Sequence, residues 1–182
     1  MSHRLVYVIG PSGAGKDSVL QGLRECWPDA ASAHWARRSI TRDPSADGEQ
    51  HEPLAVARFE QLREAQAFAM HWQANALHYG IRHAELNPLA QGRWVFVNGS
   101  RAHLPELLAQ WPRSTIVHIG ASPQVLAARL LARGRETPEA VAARLRREVA
   151  LSLPEGSIRV DNDGALGEAV EALRRALVAR DS

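Results

Sequence analysis

Short apolar runs alternate with longer stretches of helical periodicity along the chain. Apolar runs bounded by turn-forming residues are typical of buried strands, and they occur at Leu5–Ile9, Trp94–Val97, Thr115–Ile119 and Ile158–Val160. Apolar positions three and four residues apart predict helices at Lys16–Cys26, Val56–Glu64, Arg101–Ala109, Pro123–Ala132, Pro138–Ala150 and Ala165–Ala179. This alternation predicts an α/β fold, in which helices flank a parallel sheet.

The alternation is interrupted between residues 32 and 79. This segment holds short extended pieces, the polar stretch "RDPSADGEQHEP" and the predicted helix Val56–Glu64. We interpret it as an insertion carried on the α/β core. Open α/β sheets bind ligands at the carboxyl ends of their strands. An insertion that follows the first helix is therefore well placed to hold a second substrate.

A glycine-rich turn joins the first predicted strand to the first predicted helix. It reads "GPSGAGKDS" and has the glycine and lysine spacing of a phosphate-binding loop, and its lysine is the only lysine of the chain. In such loops backbone N–H groups and the helix N-terminus bind phosphate oxygens, and the lysine adds a compact charge. The candidate triphosphate site comprises Gly10, Pro11, Ser12, Gly13, Ala14, Gly15, Lys16, Asp17 and Ser18.

The end of this loop departs from the common pattern, in which a hydroxyl residue follows the lysine. Here Asp17 follows Lys16, and the hydroxyl of Ser18 comes one residue later. Mg²⁺ prefers oxygen ligands, so Asp17 and Ser18 are both candidate ligands, and the sequence does not decide between them. The loop predicts ATP with Mg²⁺ as the ligand.

The composition favours one globular domain in the cytoplasm. The 182 residues are 45% hydrophobic and 23% charged, with a formal net charge of +2. Basic residues are scattered, which argues against nucleic acid as a partner, and no apolar stretch approaches the length of a membrane span. Cys26 is the single cysteine, so an internal disulfide is excluded. Its position on the first helix predicts a buried thiol.

The segment "RLLARGRETPEAVAARLRR" forms a third, arginine-rich region. Arg129, Arg133 and Arg135 surround a glycine turn, and Arg144 lies on the next predicted helix. Guanidinium groups bind phosphate oxygens in bidentate fashion, which suits the spread of charge in phosphoryl transfer. We expect these arginines to close over the phosphates. The alternative is a solvated helix face, and we interpret Arg146 in that way.

Several motifs together carry a resemblance to a known family. The segments "GPSGAGKDS", "RSITRDP", "HYGI", "ARLLARGRE" and "VDND" resemble the guanylate kinase-like branch of the P-loop kinases over nearly the whole chain. The resemblance implies a single domain with an ATP-binding core, an acceptor-binding insertion and an arginine-bearing lid. The implied boundaries are core 1–31, 93–125 and 151–182, insertion 32–92 and lid 126–150.

The resemblance also assigns roles to individual residues. Arg42 and Tyr79 would contact the phosphate of the acceptor, and "VDND" would lie near adenine. Catalytic roles are expected for Lys16, Arg133 and Arg135, and nucleotide-binding roles beyond the loop for Arg129, Asn162 and Asp163.

Departures from the family bear on the identity of the acceptor. Guanylate kinases carry a second arginine, a glutamate and a serine where this chain has Ser45, Met70 and Ile81. Methionine and isoleucine cannot form hydrogen bonds with guanine. Each buried polar group left unpaired costs on the order of 1–3 kcal/mol. Guanine is therefore not the expected acceptor.

The segments "FAMHWQANALHYGI" and "VFVNGSR" resemble sugar-phosphate kinases of the same branch, which keep the fold and replace the base-reading segment. The resemblance implies a small phosphorylated sugar as acceptor, bound by Arg38, Arg42, His78, Tyr79, Asn98, Arg101 and Arg144. An anionic phosphate acceptor needs no general base.

Other functions and assemblies stay open at this point. GMP is one alternative acceptor. A hydroxyl acceptor of the gluconate type is another, and it would profit from a base, for which Asp17, Glu49 and His78 are available. A non-catalytic guanylate kinase-like module is disfavoured by the intact loop. Monomer and homodimer are both compatible with the sequence.

Overall fold

The computed structural model describes residues 2–42, 51–132, 134, 137, 139 and 152–180. Its strands are β1 (Leu5–Ile9), β2 (Ala33–Trp35), β3 (Arg38–Ile40), β4 (Glu52–Pro53), β5 (Phe68–Ala74), β6 (Leu77–Arg82), β7 (Trp94–Asn98), β8 (Thr115–Gly120) and β9 (Ile158–Asp161). Its α-helices are α1 (Lys16–Cys26), α2 (Val56–Glu64), α3 (His83–Leu86), α4 (Leu104–Gln110), α5 (Pro123–Ala132) and α6 (Leu166–Val178). Single 3₁₀ turns occur at Ser2–Arg4, Ala30–Ser32 and Asn87–Gln91.

The apolar runs located their strands to within one residue, and α1, α2 and α5 have the predicted bounds. The helix predicted from Arg101 begins only at Leu104, because the His103 N–H closes a turn on the Ser100 carbonyl, 3.2 Å away. Strand β2 escaped prediction because three residues are too short to display an alternation. Apart from residue 139, the helix predicted at Pro138–Ala150 lies outside the described residues.

The strands form two sheets. The larger has the order β2-β7-β1-β8-β9, in which β2 pairs with β7 and β8 with β9 in parallel. The smaller has the order β4-β3-β6-β5, with β6 antiparallel to both β3 and β5. The predicted parallel sheet flanked by helices is confirmed. The smaller sheet arises from the segment that interrupts the alternation.

The chain divides by its contacts into two compact units. The first unit consists of residues 1–7 and 28–115, and the second of residues 8–27 and 116–182. The first unit contains the smaller sheet with α2, whose Phe59 stacks on Phe68 of β5 with ring centroids 4.7 Å apart. The predicted partition into core, insertion and lid stays a prediction.

The second unit holds the glycine-rich loop between β1 and α1. Helix α1 packs on α6, where a Cβ at Gly22 would lie 2.7 Å from a methyl group of Val170. Leu173 and Leu177 extend the buried stripe of α6 at helical spacing. The close approach of the two helices therefore depends on a small residue in α1.

The prediction that Cys26 is buried is wrong, because its side chain is exposed. Only Val19 and Leu23 are buried in α1. Cys26 is the last helical residue, and the chain leaves the helix at Trp27 in an extended conformation. The apolar stripe therefore ends before it includes the thiol.

None of the helices in the described part of the chain combines the length and the hydropathy needed to cross a membrane.

Candidate functional site

The glycine-rich loop is closed by its own lysine. Lys16, the first residue of α1, donates hydrogen bonds from Nζ to the carbonyl oxygens of Gly10 (3.0 Å) and Pro11 (3.1 Å). The ammonium group thus spans the mouth of the loop at the positive end of the helix dipole. This position concentrates positive charge where phosphate oxygens would bind.

The backbone of the loop is shaped for close approach. Gly15 has φ +83°, and a Cβ there would lie 2.5 Å from Nδ2 of Asn162. A Cβ at Gly10, where φ is +157°, would lie 2.1 Å from the Ile119 carbonyl oxygen. Both positions therefore require glycine on grounds of space as well as conformation. A loop of this shape with a lysine at its mouth fits a triphosphate.

The two candidate magnesium ligands lie on the first turn of α1, where both Asp17 and Ser18 are exposed. No group of three His, Cys, Asp or Glu side chains within the described ranges is arranged to hold a metal ion. Mg²⁺ in kinase sites usually takes one or two protein oxygens and completes its shell with phosphate and water. The donor set is therefore compatible with a magnesium ion that arrives with ATP.

The remaining predicted nucleotide residues lie in the same unit as the loop. Arg129 of α5 donates from Nη2 to the carbonyl of Asn162 (2.8 Å), and the Asn162 side chain donates to the carbonyl of Ala14 (2.8 Å). Asp163 accepts a hydrogen bond from the backbone N–H of Ser122, just before α5 (2.6 Å). The structure thus brings Arg129 and Asn162 to the loop. The hydrogen bond from Ser122 instead directs the Asp163 side chain to the start of α5.

Register in the smaller sheet brings together Met70 and Ile81, two of the positions at which the sequence departs from the family pattern. Met70 pairs with Ile81 across β5 and β6, and directly opposite residues point to the same face of a sheet. Both side chains are buried, with 2% and 0% of their surface exposed. These two positions therefore supply none of the side-chain hydrogen-bond partners that a base-reading site needs.

Arg38, Tyr79 and Asn98 form one polar group beside this apolar pair. The guanidinium of Arg38 lies over the Tyr79 ring, 5.4 Å from its centroid, and its Nη1 is 3.5 Å from the carbonyl oxygen of Asn98. Tyr79 in turn stacks on Trp72 with centroids 5.6 Å apart and parallel planes. Stacking and the carbonyl contact hold the guanidinium in one orientation.

His78 lies on the other face of β6 from Tyr79, because successive side chains of a strand alternate. Its ring is 5.3 Å from Phe59 of α2, and Nδ1 is 3.6 Å from a carboxylate oxygen of Glu60. The structure therefore does not bring the His78 side chain to Arg38 and Tyr79. A backbone hydrogen bond from the Thr41 N–H to the His78 carbonyl places the half-buried Arg42 near the start of β6.

Arg101 is half-buried in the turn after β7. Arg133, Arg135 and Arg144 lie outside the described residues, as does Ser45.

Sequence reasoning missed Tyr7 and His103, which hold in place the turn that follows Asn98 and contains Arg101. The hydroxyl of Tyr7 accepts a hydrogen bond from the Ser100 N–H (3.0 Å) and lies 3.0 Å from Nδ1 of His103. The signal available in the sequence was Gly99, since a Cβ there would lie 2.0 Å from the Tyr7 ring.

Burial shifts the pKa of both side chains in this pair. Desolvation raises the pKa of Tyr7 well above its usual range, against the opposing effect of the Ser100 hydrogen bond. Burial also lowers the pKa of His103. The charge of Glu106 acts to raise this pKa, and that of His71 acts to lower it further. Both groups are thus held in their neutral forms near pH 7.

A charged cluster ties three strands of the smaller sheet together. Arg82 of β6 donates to both oxygens of Glu52 on β4 (2.8 and 3.2 Å), and the Ser39 hydroxyl of β3 donates to the same carboxylate. Burial acts to raise the pKa of Glu52, but the hydrogen bonds from Ser39 and Arg82 and the charges of Arg82 and Arg37 outweigh it and lower that pKa. The cluster therefore favours the ionised carboxylate.

A buried parallel strand, a glycine-rich loop closed by lysine and a following helix define the P-loop class of phosphate-binding proteins. The guanylate kinase family model matches residues 2–180, so the chain belongs to the guanylate kinase family.

Curated relatives cover nearly the whole chain. The ribose 1,5-bisphosphate phosphokinase PhnN of Azotobacter vinelandii is 46% identical over 176 residues, which is 96% of this chain and 96% of that protein. The protein of the same name from Pseudomonas paraeruginosa is 47% identical over 95% of this chain and 94% of its own length.

Solved structures share the fold at much lower identity. The guanylate kinase of Anaplasma phagocytophilum superposes with a TM-score of 0.69 at 13% identity, over 97% of this chain and 85% of that one. A gluconokinase of Sinorhizobium meliloti gives a TM-score of 0.52 at 18% identity, over 98% and 94% of the two chains.

Proposed function

We propose that this chain is an ATP-dependent kinase that phosphorylates the 1-phosphate of ribose 1,5-bisphosphate and forms 5-phosphoribosyl 1-diphosphate. Relatives at 46% and 47% identity over nearly the full chain carry the name of this activity. The observation that carries the proposal within the molecule is the buried Met70–Ile81 pair. It supports an acceptor without a purine base.

The donor half of the reaction rests on the glycine-rich loop. ATP supplies the phosphoryl group, and Asp17 and Ser18 are the side chains that would hold Mg²⁺. Lys16 would neutralise charge on the outer phosphates, with which the loop's N–H groups would form hydrogen bonds. Arg133 and Arg135 are proposed to stabilise the phosphoryl group in transit, and Arg129 and Arg144 to assist binding.

The acceptor half rests on side chains of the first unit. The Arg38 guanidinium, held over Tyr79, is suited to bidentate binding of a phosphate. Arg42 and Arg101 would supply further positive charge for a substrate with two phosphates, and Asn98 would bond a ribose hydroxyl. The attacking phosphate oxygen is already anionic near neutral pH. The site therefore has to orient this oxygen, and no general base is needed to deprotonate it.

The same proposal includes a place in phosphonate breakdown and a cytoplasmic location. The partners are small phosphorylated metabolites rather than nucleic acid or membrane, and the assembly is a monomer or a homodimer.

The test is a side-by-side assay of ribose 1,5-bisphosphate, GMP and gluconate with Mg-ATP, with release of ADP as the signal. We expect the ribose acceptor to be preferred over GMP by roughly 10⁴-fold in kcat/KM, as for sites that leave a buried polar edge unpaired. The product should be identified as 5-phosphoribosyl 1-diphosphate by mass spectrometry.

A Lys16→Ala preparation purified in parallel is the control for contaminating kinases. A preference for GMP would overturn the acceptor and leave the kinase assignment standing. A preference for gluconate would indicate a hydroxyl acceptor and require a general base.

A further inference from the structure

Asn162 is almost fully buried beside the phosphate loop, with 3% of its surface exposed. It directly follows β9, and its backbone is fixed on both sides. The N–H donates to the carbonyl of Gly120 at the end of β8 (2.9 Å), and the carbonyl accepts from Nη2 of Arg129 (2.8 Å). The side chain is therefore presented to the loop from a rigid position.

The side-chain amide of Asn162 donates from Nδ2 to the carbonyl oxygen of Ala14 at 2.8 Å. Arg129 reinforces this contact, since its Nη1 is 3.5 Å from the same oxygen. The peptide bond is planar and trans, so a carbonyl and the N–H of the next residue point in opposite directions. Holding the Ala14 carbonyl therefore also fixes the direction of the Gly15 N–H.

Gly15 is the residue at which the loop passes into the helix. It is the N-cap of α1, where backbone N–H groups have no partner within the helix and are available to an anion. A Cβ at Gly15 would lie 2.5 Å from the Asn162 amide nitrogen. The absence of a side chain at Gly15 therefore leaves room for the Asn162 amide, and any larger residue at position 15 would displace it.

We propose that Asn162 is a positioning residue of the phosphate loop. It orients the Ala14–Gly15 peptide so that the Gly15 N–H is directed to a phosphate oxygen, and it does not read the adenine base. Its deep burial and its bond to Ala14 leave little of the side chain for a base. The inference rests on the proposed function only in that the loop is taken to hold the triphosphate of ATP.

The test uses a ligand that has the phosphates of ATP without its base. Titration calorimetry measures the affinity of the wild type and of Asn162→Ala for Mg-ATP and for Mg-tripolyphosphate. We expect the variant to lose about 10-fold in affinity for both ligands, by the same factor, because one buried carbonyl loses its main partner. Asn162→Asp keeps the volume but replaces the donor with a carboxylate oxygen that repels the Ala14 carbonyl, and it should weaken the binding of both ligands by at least as much as Asn162→Ala.

The ratio of the two losses decides between positioning and base reading. A variant that weakens ATP binding and leaves tripolyphosphate binding intact would show that Asn162 reads adenine, and unchanged affinity for both ligands would likewise overturn the proposal. Asn87→Ala, at an exposed asparagine of the other unit, is the matched control and should change neither affinity.

Two further measurements separate this inference from other failures. Circular dichroism and thermal melting check that the variants are folded, and the KM for the acceptor should stay unchanged, since general damage would raise it too. If the acceptor proved not to be ribose 1,5-bisphosphate, the result expected with tripolyphosphate would stay the same. A wild type that binds neither ligand would overturn the kinase proposal and this inference together.

Discussion

In the phosphate loop the candidate binding groups are backbone N–H groups and one lysine, whereas in the first unit they are side chains from separate strands. The loop spans nine consecutive residues, "GPSGAGKDS", and its lysine bonds carbonyls five and six residues earlier. The polar group of the first unit joins Arg38, Tyr79 and Asn98, which lie on β3, β6 and β7. The first arrangement is local in sequence and the second is not.

This difference shows how each region is held in shape. The loop needs glycines for space and an outside group, Asn162, to hold a carbonyl. The polar group of Arg38, Tyr79 and Asn98 needs strand register, aromatic stacking through Trp72 and a turn held in place by Tyr7. Substitutions in the loop should therefore act on the donor, and substitutions in the sheet on the acceptor or on stability.

The largest expected effect is that of Lys16→Ala. The ammonium group lies across the loop at the helix N-terminus, and its loss leaves charge on the outer phosphates uncompensated. We expect kcat/KM for phosphoryl transfer to fall by about 10³-fold or more, with a folded protein. Steady-state kinetics with saturating acceptor measure this loss.

Arg58→Ala removes a cation from the exposed face of α2 and serves as the control for a change in net charge. Near-normal turnover by Lys16→Ala would be incompatible with a triphosphate in this loop.

The next largest effect is expected in the polar group of the first unit, for Arg38→Lys. Lysine keeps the charge but loses the planar fork that stacks on Tyr79 and contacts the Asn98 carbonyl. We expect the KM for the acceptor to rise about 10-fold, because a hydrogen bond to a charged group contributes roughly 1.5–3 kcal/mol. The KM for ATP should be nearly unchanged, as measured by varying each substrate at saturation of the other.

Arg58→Lys is the matched control on an exposed helix position. An equal rise in the KM for the acceptor and the KM for ATP would mean that Arg38 does not bind the acceptor.

The same contrast between local and distant contacts explains what the sequence could predict. Strands such as β1 and helices such as α1 follow from periodicity, and the loop follows from a fixed spacing. The pairing of Met70 with Ile81 depends on register between two strands, which a single sequence does not display.

Residues that act through tertiary contacts were harder to find. Tyr7 looks like any apolar strand residue, and only the fold brings its hydroxyl to Ser100 and His103. The exposed Cys26 shows the converse, since its position in the helical period suggests burial, whereas the buried stripe of the helix already ends at Leu23.

The smallest expected effect concerns stability in the smaller sheet and its dependence on pH. Hydrogen bonds from Ser39 and Arg82 lower the pKa of Glu52 in spite of its partial burial. A carboxyl group whose pKa is lower in the folded state binds fewer protons there than in the unfolded state, so it contributes stability that rises with pH. This contribution is present above the ordinary carboxyl pKa of about 4.3 and is lost as the pH falls through the lower folded-state value.

Glu52→Gln should therefore destabilise the protein most at pH 7 and progressively less as the pH falls below about 4.3, where the wild-type carboxyl also becomes neutral. The pair is about one-third exposed, so solvent screening should keep the loss below about 1 kcal/mol. Urea unfolding at pH 7, 5, 4 and 3 measures the difference, and Glu155→Gln, an exposed carboxylate of the second unit, controls for the lost charge. A constant difference at every pH would assign the effect of Glu52→Gln to packing, and the smaller sheet would then owe its shape to register and stacking rather than to ionised side chains.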